Sequence, residues 1–255
     1  MAKVLALSPD HRPIQSEPAP WFSHLKRKLT IKTRKFRRPR VIRVSGVKLE
    51  VDRSRLLPEV VRALYKERYE DREATLVREV LAPGDRVLEI GAGIGFVSVL
   101  CAQRCGAGAV LCYEANPDNE ALIQRNFALN GLWPQLRCRA MSVSSGERQL
   151  FVEPNILSTG FINRGMGVRR VVKCDAIADV VREFRPNCLV LDVEGAEIDL
   201  LPAAPLEGIT KIILETHARI VGDDAIRKLD IYMRSQGFTR FAAARKDKVW
   251  LYLRQ

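Results

Sequence analysis

Three glycines spaced by two, Gly91, Gly93 and Gly95, close an apolar run from Val87 to Ile90. A second apolar run, Phe96 to Cys101, follows and suits a helix. The pattern reads as a buried strand, a tight turn and a helix start. Glycine lets the turn backbone come close to a ligand and take dihedrals that other residues resist. That ligand would lie beyond the carboxyl end of the strand, where open α/β sheets bind ligands. Glu114 stands 23 residues after Gly91 and ends another apolar run, Ala109 to Tyr113. A carboxylate there can accept hydrogen bonds from both hydroxyls of a ribose. Glu89, inside the first run, can face a cationic or amine-bearing ligand. A dinucleotide fingerprint is excluded, because the third glycine arrives one residue early and Phe96 holds the required position. A P-loop is excluded as well, since no Gly-Lys-Ser/Thr follows.

Further along, the apolar run Cys188 to Leu191 ends in Asp192, Glu194 and Gly195, and a helix bearing Glu197 begins there. Asp192 and Glu194 would point into the same crevice as the glycine turn. They could orient a hydroxyl, take its proton or balance a positive charge. Glu197 reads instead as a helix-start acid that complements the helix dipole. Glu215 ends the next apolar run, and His217 follows it with an unperturbed pKa suited to general-base work. Asp192 and a second carboxylate could hold a divalent cation. No ligand spacing supports that, so the expectation is a site without metal.

The elements that position these residues alternate in kind. Val41 to Val51 alternates apolar and polar residues around Ser45-Gly46, which predicts a β-hairpin with a two-residue turn. Helices are expected over 58–66 and 71–81. Strands are expected over 87–90, 109–114, 136–140, 188–193 and 209–215, with helices over 95–105, 118–130, 175–183 and 223–236. Short excursion strands over 149–152 and 169–173 flank a loop, Glu153 to Val168, placed to shape an acceptor pocket. Strands over 238–243 and 249–253 would close the sheet as a hairpin. Apolar strands alternating with helices argue for an α/β domain whose parallel sheet is covered on both faces.

The 255 residues suffice for one such domain and an extension. The net charge of +12 is uneven: residues 1–55 hold 15 Lys/Arg against 4 Asp/Glu, and the remainder is close to neutral. Residues 1–43 read as a Pro-rich, basic extension, partly disordered, and 44–255 as the folded domain. Ten Lys/Arg and no acid fall within 21–43, interleaved with Trp21, Phe22, Leu25, Leu29 and Phe36. The segment 26–43 could lie on nucleic acid or on an anionic membrane surface. The six cysteines make no Cys-x-x-Cys pair and read as core thiols of a cytoplasmic protein. The sequence contains no signal-peptide pattern and no uncharged run of membrane-spanning length.

An acid, Gly-x-Gly-x-Gly and then an acid ending the next strand resemble the S-adenosylmethionine site of class I methyltransferases. More narrowly, the chain resembles the FkbM family of these enzymes. The matching residues are Tyr69-Glu70, Pro83-Gly84-Asp85, the glycine turn, Glu114-Ala115-Asn116-Pro117, Asn126 with Asn130-Gly131-Leu132, and Ala140 with Ser142 and Gly146. Asp192-Val193-Glu194-Gly195-Ala196-Glu197 and Glu215-Thr216-His217 complete the match. Glu89 and Gly93 stand where that family often has Asp and Asn, and Val190 where it often has Lys. The resemblance implies a Rossmann-like three-layer sandwich on a mostly parallel seven-stranded sheet with a C-terminal antiparallel hairpin. It implies methyl transfer from S-adenosyl-L-methionine to a hydroxyl of a sugar, glycan or small metabolite. An RNA methyltransferase using the basic arm is the alternative. By position, Glu89, Gly91, Ala92, Gly93, Gly95, Glu114, Ala115, Asn116, Ala140, Met141 and Ser142 would hold the cofactor. Asp192, Glu194, Glu215 and His217 would face the acceptor.

Overall fold

The computed structural model describes residues 21–152, 159–160, 168–242 and 248–254. The Pro-rich stretch 1–20 and most of the loop 153–167 lie outside the described residues. The basic stretch forms a helix, α1 (Trp21–Arg37). A hairpin follows, β1 (Val41–Val44) and β2 (Val47–Glu50), turning on Ser45 and Gly46, both at positive φ. Its apolar positions, Ile42, Val44, Val47 and Leu49, are buried, as strict alternation dictates. Helices α2 (Pro58–Tyr65) and α3 (Asp71–Val80) lead to β3 (Val87–Ile90), α4 (Phe96–Cys105), β4 (Val110–Tyr113) and α5 (Glu120–Asn130). Gly131, at φ +65°, ends α5 as a left-handed cap.

The strand expected over 136–140 is divided into β5 (Gln135–Arg137) and β6 (Ala140–Ser142). The Arg139 N–H bonds the Arg137 carbonyl in a tight turn, and the chain leaves the main sheet there. The two excursion strands are longer than expected, β7 (Gly146–Val152) and β9 (Val168–Ala176), and a short strand within the segment read as a loop, β8 (Thr159–Gly160), joins them and β6 in a separate four-stranded sheet, ordered β6-β9-β7-β8. The remaining elements are α6 (Ile177–Phe184), β10 (Cys188–Leu191), α7 (Glu197–Ala203), β11 (Lys211–Glu215), α8 (Ala218–Val221), α9 (Asp223–Ser235), β12 (Thr239–Ala242) and β13 (Val249–Leu253).

The seven-stranded sheet is ordered β12-β13-β11-β10-β3-β4-β5, and β13 alone runs antiparallel to its neighbours. Every residue of β3, β4 and β10 is buried, which explains their unbroken apolar character. One core lies between the sheet and the hairpin with α2, α3, α4 and α5. A second core lies between the opposite face and α6, α7 and α9. These are the three layers and the C-terminal antiparallel hairpin of the class I methyltransferase arrangement, as expected. The chain winds outward from β3 in one direction and from β10 in the other. That reversal opens a crevice at the carboxyl ends of the two strands. Among the described residues, no helix is long and apolar enough to cross a membrane.

Candidate active site

The crevice between β3 and β10 holds a cleft of about 970 Å³, space open to solvent included. The glycine turn, Glu114 and Ala115 after β4, Ala140 and Met141 of β6, and Asp192 with Glu194 after β10 all line it. Residues far apart in sequence thus meet because three parallel strands end side by side.

The glycine turn is held tightly. The Gly91 and Ala92 N–H groups both donate to the Tyr113 carbonyl at 2.9 Å. Gly91 has φ +98°, and a Cβ there would fall 2.0 Å from the Asp192 carbonyl oxygen. Only glycine lets β3 leave the sheet so close to β10. Glu114 is 5% exposed. Its Oε2 accepts from the Gly93 N–H at 2.8 Å, and Oε1 accepts from the Asn116 N–H at 2.8 Å and Asn119 Nδ2 at 3.1 Å. Burial raises its pKa to about 7 against the pull of these donors.

Not every expected cofactor residue reaches the cleft. Gly91, Gly93, Glu114, Ala115, Ala140 and Met141 line it. Ala92, Gly95 and Asn116 are buried behind it: Gly95 packs on Ile123 and Phe127, and the Asn116 carboxamide caps the turn before α5 by accepting from the Asp118 N–H. Ser142 lines a neighbouring groove beside α7. Glu89 is turned beneath α4, where its carboxylate accepts from the Ser98 hydroxyl. Burial first, and the Glu114 charge with it, raise Glu89 to about 8.

The expected acceptor residues converge on one imidazole. His217 Nε2 lies 3.4 Å from Asp192 Oδ1 and 3.5 Å from Glu194 Oε2. Its Nδ1 lies 3.4 Å from Glu197 Oε1, without the alignment of a hydrogen bond. Burial opposes the charged ring, but the Glu197 contact and then the charges of Asp192 and Glu194 outweigh it, raising His217 to about 9. Burial, and next the Glu215 charge, push the Asp192 carboxyl well up. Donor atoms of Asp192, Glu215 and His217 lie within 4.8 Å of one another.

Glu197 does more than complement a helix dipole. It is fully buried, its Oε2 accepts from the Gly195 N–H at 2.8 Å, and its Oε1 accepts from the His217 N–H at 2.9 Å. It therefore ties the turn after β10 to the turn after β11. Two more residues stand at the cleft from the amino-terminal side. Tyr69 and Glu70 line it, and burial pushes both groups well up. Glu73, in the first turn of α3, neighbours Glu215, and burial followed by the Glu215 charge raises it to about 7. Glu70 and Glu194 both occupy left-handed backbone, at φ +44° and +52°. Such strain in non-glycine residues concentrates where the surrounding structure needs a side chain in one direction. Arg139, also lining the cleft, pairs with Asp175 at 2.7 Å.

Comparison with known proteins bears on the family. The TRM5/TYW2 methyltransferase domain matches residues 41–155. No curated protein matches the chain. Among solved structures, TYW2 from P. horikoshii in complex with MeSAdo is 12% identical, over 92% of this chain and 83% of that one, with a TM-score of 0.45. Precorrin-6y C5,15-methyltransferase from Geobacter metallireducens is 13% identical, over 81% and 98%, at 0.47. An rRNA methylase from Streptococcus thermophilus is 11% identical, over 72% and 95%, at 0.44. The family match overturns the resemblance to FkbM. The run Asp192 to Glu197, the most specific element of that resemblance, lies outside the matched residues. Acids after a buried strand belong to the crevice of an open sheet, and they do not separate one family from another. The glycine turn and Glu114 fall inside the match, and with the strand order they identify the chain as an S-adenosylmethionine-dependent methyltransferase.

Proposed function

We propose that the acceptor is a nucleotide of an RNA, held in part by the basic helix α1. The observation that carries this reading is the surface of that helix. Lys28, Lys32, Lys35 and Arg37 are exposed, no acid interrupts them, and Phe36 is 88% exposed beside them. Cations attract phosphates and an exposed ring can stack on a base. The match to the TRM5/TYW2 domain favours the same class of acceptor. Neither the match nor the site chemistry gives support to a glycan.

In this reading the cleft divides between cofactor and acceptor. Ionised Glu114 only accepts, and its Oε2 has one protein donor, so ribose hydroxyls can complete its hydrogen bonding. Gly91 and Gly93 let the backbone approach the amino-acid portion, and Ala140 and Met141 border the base. Bound there, S-adenosylmethionine supplies an activated methyl carbon to an in-line nucleophile. The protein's own residues align that nucleophile and remove its proton. Asp192 and Glu194 face the acceptor from the end of β10, and His217, charged below about pH 9, holds the two carboxylates in place.

The test is methyl transfer from tritiated S-adenosylmethionine into total RNA, with RNA affinity measured against salt. Replacing Lys28, Lys32, Lys35 and Arg37 by Gln should lower the salt slope by about 0.7 for each lost phosphate contact on a single strand. Label appearing in small molecules and not in RNA would sink the reading. So would an arm that binds anionic vesicles but leaves RNA affinity unchanged when neutralised.

A further inference from the structure

The geometry points to a divalent cation site formed by Asp192, Glu215 and His217. Their donor atoms lie within 4.8 Å of one another, at the ends of adjacent strands β10 and β11. Ligand atoms on one Mn2+ or Zn2+ ion, each about 2.0–2.2 Å from the metal, are at most about 4.4 Å apart. A closure of a few tenths of an ångström would therefore complete the site.

Two observations separate this cluster from an ordinary acidic patch. The first is an orphaned atom. Asp192 Oδ1 is sealed from solvent and has no hydrogen-bond partner; its cationic neighbour is the His217 ring, whose Nε2 lies 3.4 Å away, and a metal ion would take the place of that ring's proton between the two atoms. The second is the setting of the imidazole. The His217 side chain is only 9% exposed, and its Nδ1 lies 3.4 Å from Glu197 Oε1. That nitrogen faces the fully buried carboxylate of Glu197, which the Gly195 and His217 N–H groups hold in place. A ring backed by a carboxylate on one nitrogen presents the other as a metal ligand. Nε2 is the nitrogen that faces Asp192. The Glu73 carboxyl stands beside the third ligand, Glu215.

Two carboxylate oxygens and one imidazole nitrogen suit a transition ion better than Mg2+ or Ca2+, which take oxygen alone. The ion would take the acceptor heteroatom as a further ligand and make its proton easier to remove. Glu194, beside His217 but outside the ligand trio, would receive that proton. The inference rests on this cleft being the transfer site, so cofactor binding is measured separately.

The experiment is titration of Mn2+ into the EDTA-treated full chain, followed by electron paramagnetic resonance, with calorimetry of S-adenosylmethionine on the same protein. One ion per chain should bind, with nitrogen coupling from an imidazole in the bound spectrum. His217→Gln should abolish that coupling, and Glu215→Gln should weaken binding at least tenfold. Glu183→Gln, far from the cluster in an exposed pair with Arg137, should leave binding unchanged. A wild-type chain that binds S-adenosylmethionine but no Mn2+, or binds Mn2+ without nitrogen coupling, would overturn the cation site and leave the methyltransferase intact. Because the coupling is read on the wild type, a variant that fails to fold does not rescue the proposal.

Discussion

Glu114 is the residue whose loss should be felt first. It borders the cleft and organises its own surroundings, since the Gly93 and Asn116 N–H groups both end on its carboxylate. Glu114→Ala should weaken S-adenosylmethionine binding at least tenfold, about 1.4 kcal/mol, in a calorimetric titration. Unchanged affinity in a folded variant would remove Glu114 from the cofactor's contacts. Its place was legible in the sequence, because a carboxylate ending the strand after a glycine turn has few other roles. Glu197 was not legible. Its spacing from Gly195 resembles any acid at a helix start, and nothing local joins it to His217, 20 residues onward. Only the adjacency of β10 and β11 brings the two together. The placement of Glu89 under α4 is not legible in the sequence for a related reason. Alternate strand residues face opposite sides of a sheet, and a fully buried strand does not announce which side carries the ligand.

The buried strands and the helices between them are legible in the sequence nearly to their ends, because a four-residue apolar run bounded by turn residues leaves little choice. Sequence pattern and structure part where tertiary pairing decides. The run over 136–140 alternates Leu136, Cys138 and Ala140 with Arg137 and Arg139, as a single strand would, but the turn between the two arginines sends its halves to two different sheets. The basic stretch, read as an arm, is the helix α1, fastened by Arg34 to Glu67 at 2.8 Å and to the Arg43 carbonyl at 2.8 Å. The junction of β3 with β10 offers the sharpest test at this scale. A Cβ at Gly91 would strike the Asp192 carbonyl oxygen, and φ +98° penalises any side chain. Gly91→Ala should therefore cost about 2–5 kcal/mol of stability, read from urea unfolding. A loss under about 1 kcal/mol would mean that the two strand ends are not in contact.

For the whole molecule, the buried acids set a pH dependence. Glu73 and Glu114 are raised to about 7 and Glu89 to about 8, in each case chiefly by burial. The folded chain thus keeps protons that the unfolded chain releases near pH 4.5. Their contribution to stability is complete below that pH and declines as the pH rises through 7 and 8. The ligand-free protein should melt at a higher temperature at pH 5.5 than at about pH 8.5, and Glu89→Gln should flatten the dependence by about one proton. A melting temperature that climbs over this range would contradict the burial of these carboxyls. The left-handed backbone at Glu70 and Glu194 carries a different consequence. Each residue holds the chain in a conformation costing about 1–3 kcal/mol, which glycine would largely relieve. Replacing both by glycine should give a sturdier molecule and a slower catalyst, measured as a raised melting temperature against a lowered turnover. Selection on this chain has then favoured turnover over robustness at the mouth of the cleft, and a consensus or stability-guided redesign would erase the two acids first.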